Sequence, residues 1–149
     1  MAYKINWALE VTVTETCDEG RTHILSDVGR SVGSSGTITP TTVESDLDRV
    51  LVKGQTMYYV LNTEHNRQVE GLYIKHTGVE ADGSASIREG FENQVRVRIS
   101  ATVIDFQIAA GESVFLQGNN FTEEEVKVAN SNVDGEAVIE WIMGLAPIP

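Results

Sequence analysis

Hydrophobic and polar residues alternate along much of the chain. From Trp7 onward, Leu9, Val11 and Val13 hold every second position, with mostly polar residues between them. Residues 95–99 (Val-Arg-Val-Arg-Ile) alternate most clearly. A period of two is that of a half-buried β-strand. Both segments are therefore predicted to be strands.

Further strand signals recur through the rest of the chain. They lie at residues 22–25, 49–53, 57–62, 72–76, 94–100, 103–108, 113–117, 125–129 and 137–143. Glycines beside Asp, Glu or Asn separate most of them, and these are turn-forming residues. About eight to ten short strands, with turns roughly every 8–12 residues, are typical of an antiparallel sandwich or barrel.

Strands on both sides of the long middle segment favour a jelly roll over a simple meander. The sequence therefore predicts an all-β protein, with residues 1–149 forming a single domain. Its expected fold is a jelly-roll-like antiparallel β-sandwich with at most one or two short helical turns. Residues 31–36 are rich in Gly and Ser and predict a mobile surface loop. Residues 41–47 predict one helical turn, capped by Thr41 or Thr42 with Glu44 closing a capping box.

The net charge of the chain limits the classes of partner that we expect it to bind. Among 149 residues, 22 are acidic and 11 are basic, which gives a formal net charge of −11. Such a surface repels a phosphate backbone and an anionic membrane, so we expect neither nucleic acid nor a membrane as partner. It would suit docking onto a basic protein surface. The lone cysteine, Cys17, excludes an intrachain disulfide.

Recognisable catalytic and metal-binding patterns are missing from the sequence. His23, His65 and His76 lack ligand spacing, so each is expected to be a surface or strand-end residue rather than a zinc ligand. Glu44, Asp46 and Asp48 could present oxygens to calcium, although a solvated acidic segment is the simpler interpretation. We therefore expect a non-enzymatic protein without a cofactor. A spatial pair of carboxylates for glycoside hydrolysis stays open, because such pairing is not visible in a sequence.

Two further groups invite a functional interpretation. Arg96 and Arg98 stand on one face of their predicted strand, where they either pair with acidic residues of a neighbouring strand or bind an anion. The C-terminal run from residue 137 is apolar on both faces apart from Glu140. It either forms a central core strand with a tail packed over the sheet, or buries itself in a neighbouring subunit.

For the second alternative, the predicted contacts with a neighbouring subunit or another partner are Trp141, Ile142, Leu145 and Ile148. Burying three or four such side chains per subunit could offset much of the cost of association. We therefore expect a homo-oligomer, with a trimer as the preferred state.

Three segments of the middle of the chain carry a resemblance to a known class of proteins. They are Tyr-Tyr-Val-Leu-Asn at residues 58–62, Leu-Tyr-Ile-Lys-His-Thr-Gly at 72–78 and Ala-Gly-Glu-Ser-Val-Phe-Leu at 110–116. Their order resembles small virion structural proteins of tailed bacteriophages, in which "xYxxxN…vyIkNTG" is followed by "l.aGE.vfL". His76 stands where Asn is commoner in that pattern.

The resemblance implies a capsid decoration (cement) protein or another minor head or tail component. Its partner would be the major capsid protein, and such proteins often assemble as trimers. It would be made in the host cytoplasm and reside on the capsid surface of the virion. Two alternatives remain: a tail or receptor-binding component, and a carbohydrate-binding jelly-roll module. The latter would stack sugars on Tyr58, Tyr59, Tyr73 or Trp141.

Overall fold

A computed structural model gives the architecture of most of the chain. It describes residues 2–11, 14–16, 22–24, 32–51, 59–62, 67–80, 82–85, 95–99, 104–118, 121–130 and 136–147. Contacts divide the chain into two compact units, one formed by Met1–Tyr3 with Pro40–Pro149 and the other by Lys4–Thr39. Whether the chain behaves as the single domain expected from its length stays a prediction.

The described residues form strands almost throughout. The first unit to appear in the chain contains β1 (Ile5–Val11), β2 (Thr14–Thr16), β3 (Thr22–Ile24) and β4 (Val32–Ile38). The larger unit contains β5 (Thr42–Leu51), β6 (Tyr59–Val60), β7 (Gln68–His76), β8 (Val95–Ile99), β9 (Ile104–Ile108), β10 (Ser113–Gln117), β11 (Val126–Asn130) and β12 (Ala137–Ala146). A single 3₁₀ turn at Glu123–Glu125 is the helical element of the described residues.

The larger unit is a jelly roll. One sheet has the strand order β10-β7-β12-β5 and the other β6-β11-β8-β9, and every pairing is antiparallel. The first strand pairs with the last, the second with the next to last, and so on inward to β8 and β9. This is the order of a long hairpin wrapped around a barrel, which confirms the predicted fold class.

The core lies between the two sheets. Its fully or nearly buried residues are Val69, Leu72, Ile74, Ala137, Ile139, Trp141, Met143 and Leu145 from the first sheet, Val95, Val97, Ile99, Ile108, Val126 and Val128 from the second, and Leu61 and Phe121 from the connections. Residues 95–99 alternate between buried and exposed as predicted. One inner face from each sheet thus meets the other, as sandwich packing requires.

One break in this alternation lies on β7. Val69 and Leu72 are both in the core although they are an odd number of residues apart. Between them the pairing with β12 shifts register, from Gly71 opposite Gly144 to Val69 opposite Leu145. A β-bulge of this kind changes which residues face inward. The strand β7 itself begins at Gln68, upstream of the predicted segment 72–76.

The predicted loop at residues 31–36 is wrong. Residues from Val32 onward form β4, which pairs along its whole length with β1. Gly36 lies directly opposite Trp7, and a Cβ atom on Gly36 would lie 2.7 Å from Cζ2 of the indole. The glycine therefore leaves room for the indole across the ladder. At Gly36, close packing between strands explains a residue type that is typical of loops.

The helical turn predicted at residues 41–47 is also wrong, because most of that segment belongs to β5. Thr42 and Val43 are β-branched and suit a pleated strand. The backbone N–H of Thr41 donates to the carbonyl of Leu145 at 3.0 Å, next to the point where the β5–β12 ladder begins. Pairing with a strand about a hundred residues away overrides the weak local capping signal.

The smaller unit repeats the nested arrangement. β1 pairs with β4 and β2 pairs with β3, again antiparallel. The predicted strands from Trp7 and at 22–25 are thus confirmed over their described residues. In the larger unit, the prediction for 113–117 matches β10 at both ends. Of the predicted strand 57–62, residues 59 and 60 form β6, residues 61 and 62 lie outside the strand, and residues 57 and 58 lie outside the described part of the chain.

Replacing Gly36 by Ala tests the packing of Trp7. The added methyl group meets the indole ring, so we expect the hairpin of β1 and β4 to lose about 1–3 kcal/mol of stability. Amide hydrogen exchange along both strands measures this local opening. The control is Ser35→Ala, an exposed position on the same strand, which should change stability by less than about 0.5 kcal/mol. Equal protection in the two variants would contradict the packing argument.

Candidate functional site

Two of the segments that carry the resemblance lie side by side. β7 and β10 pair from Lys75 opposite Ser113 to Gly71 opposite Gln117. Beyond this ladder, the N–H of His76 donates to the carbonyl of Glu112 at 3.0 Å, and the N–H of Gly111 donates to the carbonyl of His76 at 2.8 Å. The turn in one segment is therefore bonded to the end of the other.

The structure explains why Gly and Glu stand at positions 111 and 112 of that turn. Gly111 has φ +85°, a conformation that side chains with a Cβ rarely adopt. The N–H of Glu112 donates to the carbonyl of Ala109 at 3.0 Å, and the Glu112 carboxylate accepts from the N–H of Ala109 at the same distance. Both residues shape the turn between β9 and β10.

Residues 76–78, at the end of the second matching segment, also make hydrogen bonds that hold the fold together. Thr77 donates to the carbonyl of Val138 from its N–H at 3.0 Å and from its hydroxyl at 2.7 Å. The N–H of Gly78 donates to Nδ1 of His76 at 3.1 Å, so Nδ1 is the acceptor in this turn. His76 ends β7, as predicted, but is fully buried. No group of three metal-ligating side chains occurs among the residues described.

The third segment ends at a buried polar cluster. Asn62 donates from Nδ2 to Oε2 of Glu123 at 2.9 Å. Arg67 donates to both carboxylate oxygens of Glu123, from Nε at 2.9 Å and from a terminal nitrogen at 3.1 Å. The same guanidinium reaches Glu44 at 3.3 Å. Glu123 is fully buried, and its hydrogen bonds raise the pKa of Arg67 above the ordinary value.

Sequence reasoning missed Arg67 and Glu123 because their partners are distant in the chain. A usable signal existed at Thr122, whose N–H donates to Oε2 of Glu125, three residues further on, at 2.7 Å. This capping pattern marks the 3₁₀ turn that positions Glu123. Glu44, considered as a calcium ligand, instead pairs with Arg67.

The two arginines of β8, Arg96 and Arg98, pair with an acidic residue of the neighbouring strand, which is one of the two predicted interpretations. Arg96 binds Asp105 of β9 through two parallel hydrogen bonds, at 2.8 and 3.0 Å. Arg98 donates to the same carboxylate at 3.1 and 2.9 Å. These bonds lower the pKa of Asp105 below its ordinary value, with the Arg96 bond the larger cause. Cross-strand pairing is confirmed, and all three side chains face solvent.

The candidate aromatic residues separate into different environments. Trp141 lies in the core and offers no platform to a sugar. Tyr73 is half-buried and stands directly opposite Phe115 on β10, on the face turned away from the core. Tyr58 and the side chain of Tyr59 lie outside the described part of the chain. Among the described candidates, Tyr73 is therefore the one on an outer face, and Phe115 lies beside it.

The four residues predicted to contact another subunit also lie in different environments. Trp141 and Leu145 are buried in the chain's own core, with 6% and 0% of their surfaces exposed, so neither offers a surface to another subunit in this fold. Ile142 is half-buried on the outer face, opposite Tyr73. Ile148 lies outside the described residues. The subunit contact stays a prediction, and among the four residues Ile142 is the one described on the outer face.

Comparisons with known proteins identify no family for this chain. No protein-family model, no curated protein and no solved structure matches this chain. Among the described residues, no helix is long and apolar enough to cross a membrane.

Glu123→Gln tests the buried cluster. It removes the charge that Arg67 pairs with and sets an amide against the Asn62 amide. We expect a loss of about 3 kcal/mol, at the low end for a broken buried pair because Arg67 keeps Glu44 and some water contact. Urea unfolding followed by tryptophan fluorescence measures it. Glu124→Gln, at the exposed neighbouring position, is the control and should stay within about 0.5 kcal/mol of the parent protein.

The Asp105 carboxyl should titrate below its ordinary pKa of 3.8, because two guanidiniums stabilise its charged form. Its lowered pKa contributes stability that is present near neutral pH and is lost as the pH falls through the folded-state pKa. Carboxyl carbon shifts in an NMR titration report this value. In Arg96→Gln/Arg98→Gln the midpoint should rise towards 3.8, and each single variant should lie between. An unchanged midpoint would show that the ion pairs do not persist in solution.

Proposed function

We propose that this chain is a non-enzymatic structural protein of a tailed-bacteriophage virion, of the capsid decoration type, which binds and stabilises the shell. One observation carries the proposal. The residues of the resemblance are those that shape the fold: the Gly111–Glu112 turn, its bonds to His76, and Asn62 on buried Glu123. In this chain the pattern therefore coincides with residues that hold the strands in place, which supports the proposal better than a likeness in composition would.

A decoration protein needs no deep pocket. Many weak surface contacts, repeated over a symmetric shell, add up through multivalency. The major capsid protein is the proposed partner, and a trimer is the proposed assembly of this chain. Ile142, with Tyr73 and Phe115 beside it in register, is the part of the predicted contact that lies on the outer face.

A carbohydrate-binding module is the second candidate, because Tyr73 and Phe115 stand side by side on the outer face of a sheet. Aromatic side chains in such positions stack on sugar rings through their apolar faces. Binding of the isolated protein to a glycan array, abolished by Tyr73→Ala, would favour this candidate over decoration.

Immunogold electron microscopy tests the proposed location. Particles purified from a culture that produces this chain are labelled with an antibody raised against it. We expect gold over the heads of tailed particles, and no label on particles from a strain in which the gene is deleted. The deletion particles should assemble but lose their DNA at a lower temperature, since a stabiliser is missing. Label confined to tails would favour the tail component, and unlabelled particles would overturn a virion role.

A further inference from the structure

The strand β10 lies at one edge of the first sheet. Among the described strands it pairs with β7 alone. Just beyond their ladder, the N–H of His76 donates to the carbonyl of Glu112. In an antiparallel ladder, residue pairs bonded in this way alternate with pairs whose backbone groups point away from the neighbouring strand. Ser113 and Gln117 stand at odd distances from Glu112 along the chain, so their N–H and C=O groups point away from β7.

The outward backbone groups of Ser113 and Gln117 are open to pairing. Both side chains are exposed, at the two ends of β10. Outside the ladder with β7, neither residue takes part in a backbone hydrogen bond with the described part of the chain. Such groups can accept a further strand, which then extends the sheet.

Apolar side chains line the same edge of the sandwich. Phe106 of β9 and Val114 and Leu116 of β10 pack against the core but are only half-buried. The strands β9 and β10 are joined by the short turn 109–112, and each is the last strand of its own sheet. The partly exposed apolar residues of this edge therefore come from both sheets.

The other sheet edges carry features that discourage strand pairing. The ladder of β5 contains a register shift, and Glu44 of β5 stands opposite buried Met143. The strand β6 has only two residues, and β9 contains Asp105. Charges, bulges and short strands are common ways in which proteins protect an edge. In contrast, β10 (Ser-Val-Phe-Leu-Gln) has no charge, no proline and no register shift.

We propose that β10 pairs antiparallel with β10 of a second copy of this chain, so that Ser113 of each copy faces Gln117 of the other. Each of these facing pairs exchanges two backbone hydrogen bonds. The pairing joins two four-stranded sheets into one continuous sheet. Val114 then stands opposite Leu116 of the second copy, so apolar side chains cover the half-buried residues of both copies.

Charge selects a second copy of β10 as the occupant. A net charge of −11 makes two copies repel each other over most of their surfaces. At β10 they meet without placing like charges opposite one another, because the strand is uncharged. The contact is two-fold and uses the same residues on both copies. It does not depend on the proposed function, and in a trimeric protein it would link two trimers.

Sedimentation equilibrium over a series of protein concentrations tests the inference. We expect the mass of the parent protein to double as its concentration rises. Ser113→Pro removes an outward N–H without removing a bond to β7, and should weaken the association at least roughly tenfold. The control Ser113→Ala keeps this N–H and should associate within about twofold of the parent protein. Matching thermal melts show that the variants are folded.

Three double variants test the register of the contact. Ser113→Glu/Gln117→Glu and Ser113→Lys/Gln117→Lys place like charges opposite each other across the two copies. Ser113→Glu/Gln117→Lys places opposite charges there, and should associate roughly tenfold more tightly than either of the others. If the net charge alone governed association, the variant with two lysines would associate most tightly, because it is the least acidic of the three.

A parent protein that stays monomeric throughout the series would overturn the inference, and so would an association that Ser113→Pro leaves unchanged. Tightest association of the variant with two lysines would reject the proposed register. A trimer that Ser113→Pro leaves intact and unpaired would reject the β10 contact and leave the proposed decoration function standing.

Discussion

The insertion of β12 between β5 and β7 is the contact on which the sandwich depends. β12 pairs on both sides, and β5 pairs with no other described strand. Alternate residues of β12, among them Ile139, Trp141 and Met143, enter the core. Removing β12 would therefore leave β5 unpaired and open the core along its length. Because this strand comes last in the chain, the first sheet is completed only when residues about a hundred positions apart meet, a topology associated with slow folding.

A second constraint is polar. Glu123 is fully buried and its carboxylate is bonded by Asn62 and Arg67, which belong to a different part of the chain. A buried ion pair contributes little compared with apolar residues of the same shape, but separating the two partners is costly. The cluster therefore penalises any arrangement that moves the 3₁₀ turn away from Arg67. It specifies position more than it adds stability.

The two outer faces of the sandwich differ in chemistry although the inner faces are alike. One presents Tyr73 and Phe115 beside Ile142, and the other presents arginines organised by Asp105. Inner faces must be apolar to fill the core, whereas outer faces are free to vary. Because one fold serves many functions, the fold alone assigns no function to either outer face.

The sequence by itself determined the local features of this protein. The alternation at residues 95–99, the strand at 113–117 and the turn at Gly111 follow from side-chain period and backbone preference, which act between near neighbours. Only the tertiary structure decided what each strand meets. Residues 32–38 form a strand because they pair with β1, where Gly36 leaves room for Trp7. Residues 42–51 extend because β12 pairs with them, and Glu123 bonds Arg67, which lies 56 positions away. The partner and the register of each strand depend on contacts between residues that are distant in the chain, and a local sequence pattern does not predict such contacts.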